Sequence, residues 1–107
     1  MKIVYIAHPI GGDVENNLKD LARIIRAINL KYHDVVPLAP YYADIIALYD
    51  SIPSERERGI KNDMAILESG IFKELWLTGE KISYGMSQEI EKSKELGIPI
   101  VNYINLF

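Results

Sequence analysis

Two carboxylates stand out by type and spacing, Asp63 and Glu89. Glu89 belongs to "GEKISYGMSQEIEKSKELG", residues 79–97, where an apolar run has just ended at Thr78. Ser83 and Gly85 make a turn there, and a helical pattern follows. With Met86, Ile90, Ser93 and Gly97 set toward a core, Glu89 falls about 70° off that face at roughly 100° per helical residue. Asp63 takes the same offset from Ile60, Met64 and Leu67 on the preceding helix. Each helix thus carries one acid at the border of its buried stripe, while Glu91 and Glu95 point away.

A carboxylate in or near a first helical turn is stabilised as the anion, which suits a nucleophile or a stabiliser of developing positive charge. A second carboxyl group in a different environment can keep a proton for a leaving group, and cleavage of glycosidic bonds divides the labour in this way. Backbone N–H groups at the helix start, with the Ser83 and Ser87 hydroxyls, make a place for a phosphate. A plainer role is open to each residue. Glu is favoured near a helix start by the dipole alone, Ser83 can serve only as an N-cap, and Asp63 can pair with Lys61 or Arg56 at the surface.

The elements that must hold these groups follow from the pattern of the chain. Ile3–Ala7 is a short run rich in β-branched residues and predicts a strand buried on both faces. After Gly11-Gly12-Asp13 the period changes, and Leu18, Leu21, Ile25, Ile28 and Tyr32 predict an amphipathic helix over about 14–32 with Asp13 as N-cap. Asp34–Leu38 predicts a second strand, placed at an edge by Pro37. "YYADIIALYD", residues 41–50, is read as a short helix, and Ser54 with Glu57 as the capping box of a longer one that Gly70 stops. Glu74–Thr78 predicts the third strand, 85–96 a helix closed by Gly97, and Ile98–Ile104 the last strand.

This β-α-β-α-β-α-β alternation predicts an α/β fold, a single flavodoxin- or Rossmann-like three-layer domain over residues 1–107 with a parallel sheet of four to five strands. Such sheets bind ligands beyond the carboxyl ends of their strands, where strand order reverses. Three occupants of that edge are excluded. "AHPIGGD" is not the G-x-G-x-x-G of a dinucleotide fold, the Gly-Lys-Ser/Thr of a P-loop is absent, and Ala7-His8 stand where a phospho-receiver carries paired acids.

Composition narrows the classes further. The 107 residues include 49% apolar and 25% charged side chains, ordinary proportions for a soluble globular domain. A formal net charge of −3 argues against binding duplex nucleic acid through its phosphates. The chain has no cysteine, and its two histidines, His8 and His33, are too few for a histidine-rich metal site. No apolar run approaches the roughly 20 residues of a membrane span, and the N-terminus lacks a signal-peptide pattern, so a cytoplasmic protein without a membrane partner is expected.

Three stretches together resemble the nucleoside 2-deoxyribosyltransferase-like superfamily, which includes the 2′-deoxynucleoside 5′-phosphate N-hydrolases: "VYIAHPIGG", "NDMAILESGIFKELWLTG", and "ISYGMSQEI" followed by "GIPIV". They cover most of the chain in the family's order. The resemblance implies that Glu89 is the nucleophile at the anomeric carbon of a deoxyribose and that Asp63 assists at the base and sugar. It implies a pocket floor and wall at Tyr5, Ala7, His8, Pro9, Gly11 and Gly12, faced by Ser83, Gly85, Met86 and Ser87. Ser83 stands where the nucleotide hydrolases carry a phosphate-contacting serine. Asn102 matches a residue presented to a neighbouring subunit's site, which implies a homodimer or larger homo-oligomer. No metal or cofactor is implied, and the expected ligand is a deoxynucleotide or deoxynucleoside. The chain departs from the family at His8-Pro9, at Asp13 where an arginine lies near Gly12 in the hydrolases, and at Lys73.

Other residues carry weaker signals. His8 can contact a phosphate or base, or simply pack in its turn. Tyr41, Tyr42 and Tyr49 can stack on a nucleobase or belong to core and interface. Trp76 is expected in the core, and His33 and Glu55-Arg56-Glu57-Arg58 on the surface.

Overall fold

The run Lys2–Ala7 forms β1, and its residues Val4, Tyr5, Ile6 and Ala7 are fully buried on both faces, which is why their sequence shows no alternation. The computed structural model describes residues 1–107. After β1 come α1 (Val14–Lys31), β2 (Val35–Leu38), α2 (Tyr42–Ala47), α3 (Pro53–Leu67), β3 (Phe72–Leu77), α4 (Tyr84–Leu96) and β4 (Ile100–Asn102). The four strands are parallel, in the order β2-β1-β3-β4. The chain therefore steps from β1 to one side, returns past it, and adds β3 on the other. The reversal leaves a crevice beyond the ends of β1 and β3.

Helices cover both faces, giving the three-layer α/β/α arrangement. On one face Val4, Ile6 and Trp76 pack against Leu21, Ile24 and Ile28 of α1. On the other, Tyr5, Ala7, Leu75 and Leu77 meet Leu67 of α3 and Met86 of α4. The first face has a single helix, and aromatic rings complete it. Trp76 is 2% exposed and packs between Tyr32 and Tyr103, with centroids at 5.3 and 4.7 Å, and Phe107 extends the cluster from Tyr103. No helix is long and apolar enough to cross a membrane.

Several elements differ locally from the sequence pattern. The buried stripe of α1 is Leu21, Ile24 and Ile28, with Leu18 and Ile25 on its flanks. Asp13 occupies the N-cap without a capping side-chain bond; its carbonyl accepts from Asn17 N–H instead. The Ser54–Glu57 capping box does not form. Ile52 is the N-cap and Pro53 opens the helix, because its fixed φ and missing N–H suit that position and put Ser54 inside the first turn. β4 pairs only over Ile100–Asn102, since the chain turns at Tyr103 to lay its ring on Trp76. β3 begins earlier than expected, with a bulge. Ile3 pairs with Phe72 and Val4 with Glu74, leaving Lys73 as the extra residue. Pro37 lies in an edge strand, as its missing donor requires.

Candidate active site

Tyr5 sits near the end of β1 with its side chain on the face covered by α3 and α4. Its hydroxyl lies 2.5 Å from Asp63 Oδ1 and 2.5 Å from Glu89 Oε2. The two acids approach from different helices, Asp63 from α3 and Glu89 from α4, and each acts on the other's protonation. Glu89 is 6% exposed and lies in the buried stripe of α4 with Met86 and Ser93, rather than on its flank. It belongs to the second turn, beyond the reach of the helix dipole's first-turn effect.

This placement sets the electrostatics. Burial, and then the charge of Asp63, push the Glu89 carboxyl well above its ordinary value. Asp63 is also raised, chiefly by burial, with the Tyr5 hydrogen bond acting against it and Asp44 adding to it. Burial, with both carboxylates nearby, raises the Tyr5 phenol far enough that it stays protonated. A phenol has one hydrogen to donate. Both of its contacts are satisfied only when one carboxyl group carries a proton and donates it to the phenolic oxygen. Glu89 is buried and Asp63 half-buried, and carboxyl groups this close resist ionising together, so the pair keeps its last proton to a higher pH than an ordinary carboxylate would.

Asp63 and Glu89 open onto a cavity of about 820 Å³ at the carboxyl ends of the strands. Its walls come from the β1–α1 loop, from α2 and α3, and from the start of α4. His8, Pro9 and Gly11 line it, as do Ser83, Gly85 and Met86. Tyr5 reaches it through its hydroxyl's two carboxylate partners. Ala7 is fully buried beneath, and its carbonyl accepts from Thr78. Gly12 is exposed at a positive φ of 89°, outside the lining. The Ser87 hydroxyl donates to the Tyr84 carbonyl, and Ser87 too lies outside the cavity lining. Asn102 is exposed at the end of β4, where its Oδ1 accepts from Ile104 N–H.

Ser83 is the N-cap of α4. Its Oγ accepts from Met86 N–H at 3.2 Å, which leaves its own hydrogen free to donate into the cavity. His8 is 5% exposed, with Nδ1 2.6 Å from the Pro9 carbonyl and Nε2 2.9 Å from Asp20 Oδ2. Both ring nitrogens are thus engaged. Partial burial would raise Asp20, but hydrogen bonds from His8 and Arg23 outweigh it and hold its carboxyl below the usual range. Tyr41 lines the cavity and donates to the Ile6 carbonyl at 2.6 Å, with its ring tilted against Tyr5 at 5.9 Å. Tyr49 stands exposed at the mouth, and Tyr42 is outside the lining.

Some contributors carry no clear sequence signal. Gly79 adopts a φ of 89°, and a Cβ there would stand 2.6 Å from Pro9 Cδ. The strand end therefore needs glycine on two counts, left-handed backbone and close approach. Arg56 and Lys81 line the cavity, whereas the charge run around Arg56 reads in sequence as surface only. Asp44 also lines it, from α2 within the run 41–50, with its Oδ2 accepting from Asn62 Nδ2 at 3.0 Å. No group of three or more His, Asp and Glu side chains is arranged to hold a metal ion.

The family model described as "Domain of unknown function (DUF7768)" matches residues 2–103, nearly the whole chain. No curated protein and no solved structure matches it. The chain belongs to the DUF7768 family.

Proposed function

We propose that this DUF7768 protein cleaves or transfers the N-glycosidic bond of 2′-deoxynucleotides or deoxynucleosides. The observation that carries the reading is the single phenolic oxygen of Tyr5 shared by Asp63 and Glu89 beside the cavity. A carboxyl pair with one member buried, the other half-buried and one proton between them supplies both parts that the reaction needs, an anion for the sugar and an acid for the base.

In the first step a Glu89 oxygen attacks the anomeric carbon while the bond to the base breaks. The pair's proton, which the more deeply buried Glu89 favours in the free protein, passes to Asp63 as Glu89 engages the sugar and goes on to the departing base nitrogen. The Tyr5 hydroxyl steadies the Glu89 carboxylate as an anion until the ester forms, and burial excludes bulk water from the charged intermediate stage. In the second step water, or a second base, attacks the same carbon and expels Glu89 as the carboxylate. The proton lost by that nucleophile returns to Asp63. The Ser83 hydroxyl and the N–H groups at the start of α4 are suited to the 5′ end, with Lys81 on the same wall. The resemblance extends the proposal to a homo-oligomer with Asn102 near a neighbour's site.

The test is release of free base from a panel of deoxynucleosides and their 5′-monophosphates. Base should be released by the unaltered protein and not by Glu89→Gln. If no base appears, or if the variant releases as much, the catalytic reading is wrong. Saturable nucleotide binding without release would instead make the protein a binding module of the same fold.

A further inference from the structure

Asp44 of α2, Asp50 and Glu55 also line the cavity with carboxyl groups that the reaction as written does not use, and of these Asp44 is the one whose charge acts on Asp63. It is half-buried, and Asn62, the residue beside Asp63 on α3, donates to its Oδ2 at 3.0 Å. That bond holds the side chain against α3 and leaves Oδ1 as an acceptor with no protein partner among the hydrogen bonds of the molecule. Asp44 is also close enough to Asp63 for its charge to act on that carboxyl group. The departing base receives its proton from the Asp63–Glu89 pair, so it must lie beside Asp63 and within reach of the wall that Asp44 occupies.

We propose, resting on the glycosidase reading, that Asp44 selects bases that carry an exocyclic amino group at the position of cytosine N4 or adenine N6, over thymine, uracil and hypoxanthine. A carboxylate only accepts hydrogen bonds. An exocyclic amine presents N–H at the rim of the base, where Oδ1 can meet it. The ring N–H of uracil or thymine is flanked by two carbonyl oxygens, which a carboxylate would meet as like partial charges. Hypoxanthine places a carbonyl oxygen where adenine has its amine. Asn62 adds rigidity, since its bond to Oδ2 holds the Asp44 carboxyl group against α3. A site built around such an acceptor discriminates by leaving its carboxylate unpaired when the wrong base enters.

The test uses matched pairs, deoxycytidine against deoxyuridine 5′-monophosphate and deoxyadenosine against deoxyinosine 5′-monophosphate. Equilibrium binding is measured by calorimetry and base release separately, on the unaltered protein and on Asp44→Asn. The amino-bearing member of each pair should bind about ten- to hundredfold more tightly, the range of one hydrogen bond to a charged group. Asp44→Asn, which keeps a carbonyl oxygen for Asn62 and gains a donor, should reduce that ratio to about one while thermal stability stays unchanged. Equal binding of both members, or a ratio that survives in Asp44→Asn, overturns the inference even if base is released. Selective binding that Asp44→Asn abolishes, without any base release, upholds the Asp44 assignment and sinks the glycosidase reading alone. No binding of any of the four nucleotides or of the corresponding deoxynucleosides overturns both.

Discussion

Asp63 and Glu89, on separate helices, meet on one phenolic oxygen, each 2.5 Å from Tyr5 Oη. Tyr5 is fixed from β1, whose backbone is buried on both faces, so the meeting point is set by the centre of the sheet and not by a loop. The relation makes the two acids a single titrating unit. Their protons come off in two steps that belong to the pair.

Base release should therefore follow a bell-shaped pH profile. The pair is active with one proton and inactive with two or none, and its alkaline limb lies above the ordinary carboxylate range because burial raises Glu89 and Asp63. The Tyr5 hydrogen bond lowers both carboxyl groups. Tyr5→Phe should accordingly move both limbs to higher pH and reduce kcat by about ten- to a hundredfold. A profile of unchanged position in that variant would contradict the shared-proton arrangement.

Glu89→Gln should make the protein more stable at neutral and alkaline pH while abolishing activity. The folded carboxyl titrates above its ordinary value of 4.5, so its contribution to stability is complete below that pH. It is lost as pH rises through the raised folded value, at up to about 1.4 kcal/mol per pH unit. Urea melts near pH 5 and near pH 8 measure this. The wild type should lose stability between them more steeply than the variant, and parallel curves would contradict the buried carboxyl's role.

Gly79→Ala should destabilise the fold by about 2–4 kcal/mol, combining a left-handed backbone with overpacking. The new methyl would stand 2.6 Å from Pro9 Cδ and 3.2 Å from Pro9 Cγ, in a ring that cannot swing away. Gly97→Ala, at a φ of 71° with open space around its Cβ position, should cost less. The comparison by chemical denaturation separates the steric part from the backbone part.

Much of this was legible from the chain. Period changes at Asp13 and Ser83, the β-branched run at 3–7 and the apolar run at 75–77 are enough for a parallel α/β sheet and for the edge at which its crevice opens. Ser83 was readable as a cap because the turn that positions it is local. Glu89 was harder to place, since periodicity assigns acids to the outside of a helix. Its burial depends on Tyr5 and Asp63, partners that are distant in sequence. The same limit hid Gly79, whose requirement comes from Pro9 across the crevice, and Asp44, which owes its place to Asn62 on the next helix. The final strand is shorter than its pattern predicts because seven consecutive residues are mostly apolar, whereas four of them serve the junctions and the two apolar clusters flanking the sheet.

The two outer strands of the sheet also bear on how copies of this protein can meet. β2 is four residues long and carries Pro37, and β4 has three residues before the chain turns away. Neither offers a long, regular row of free N–H and C=O groups to a strand from another molecule. Ribbon-like growth by edge-to-edge addition, the route to fibrous aggregates, is therefore blunted at both borders. Contact between copies is favoured instead through the helices and loops.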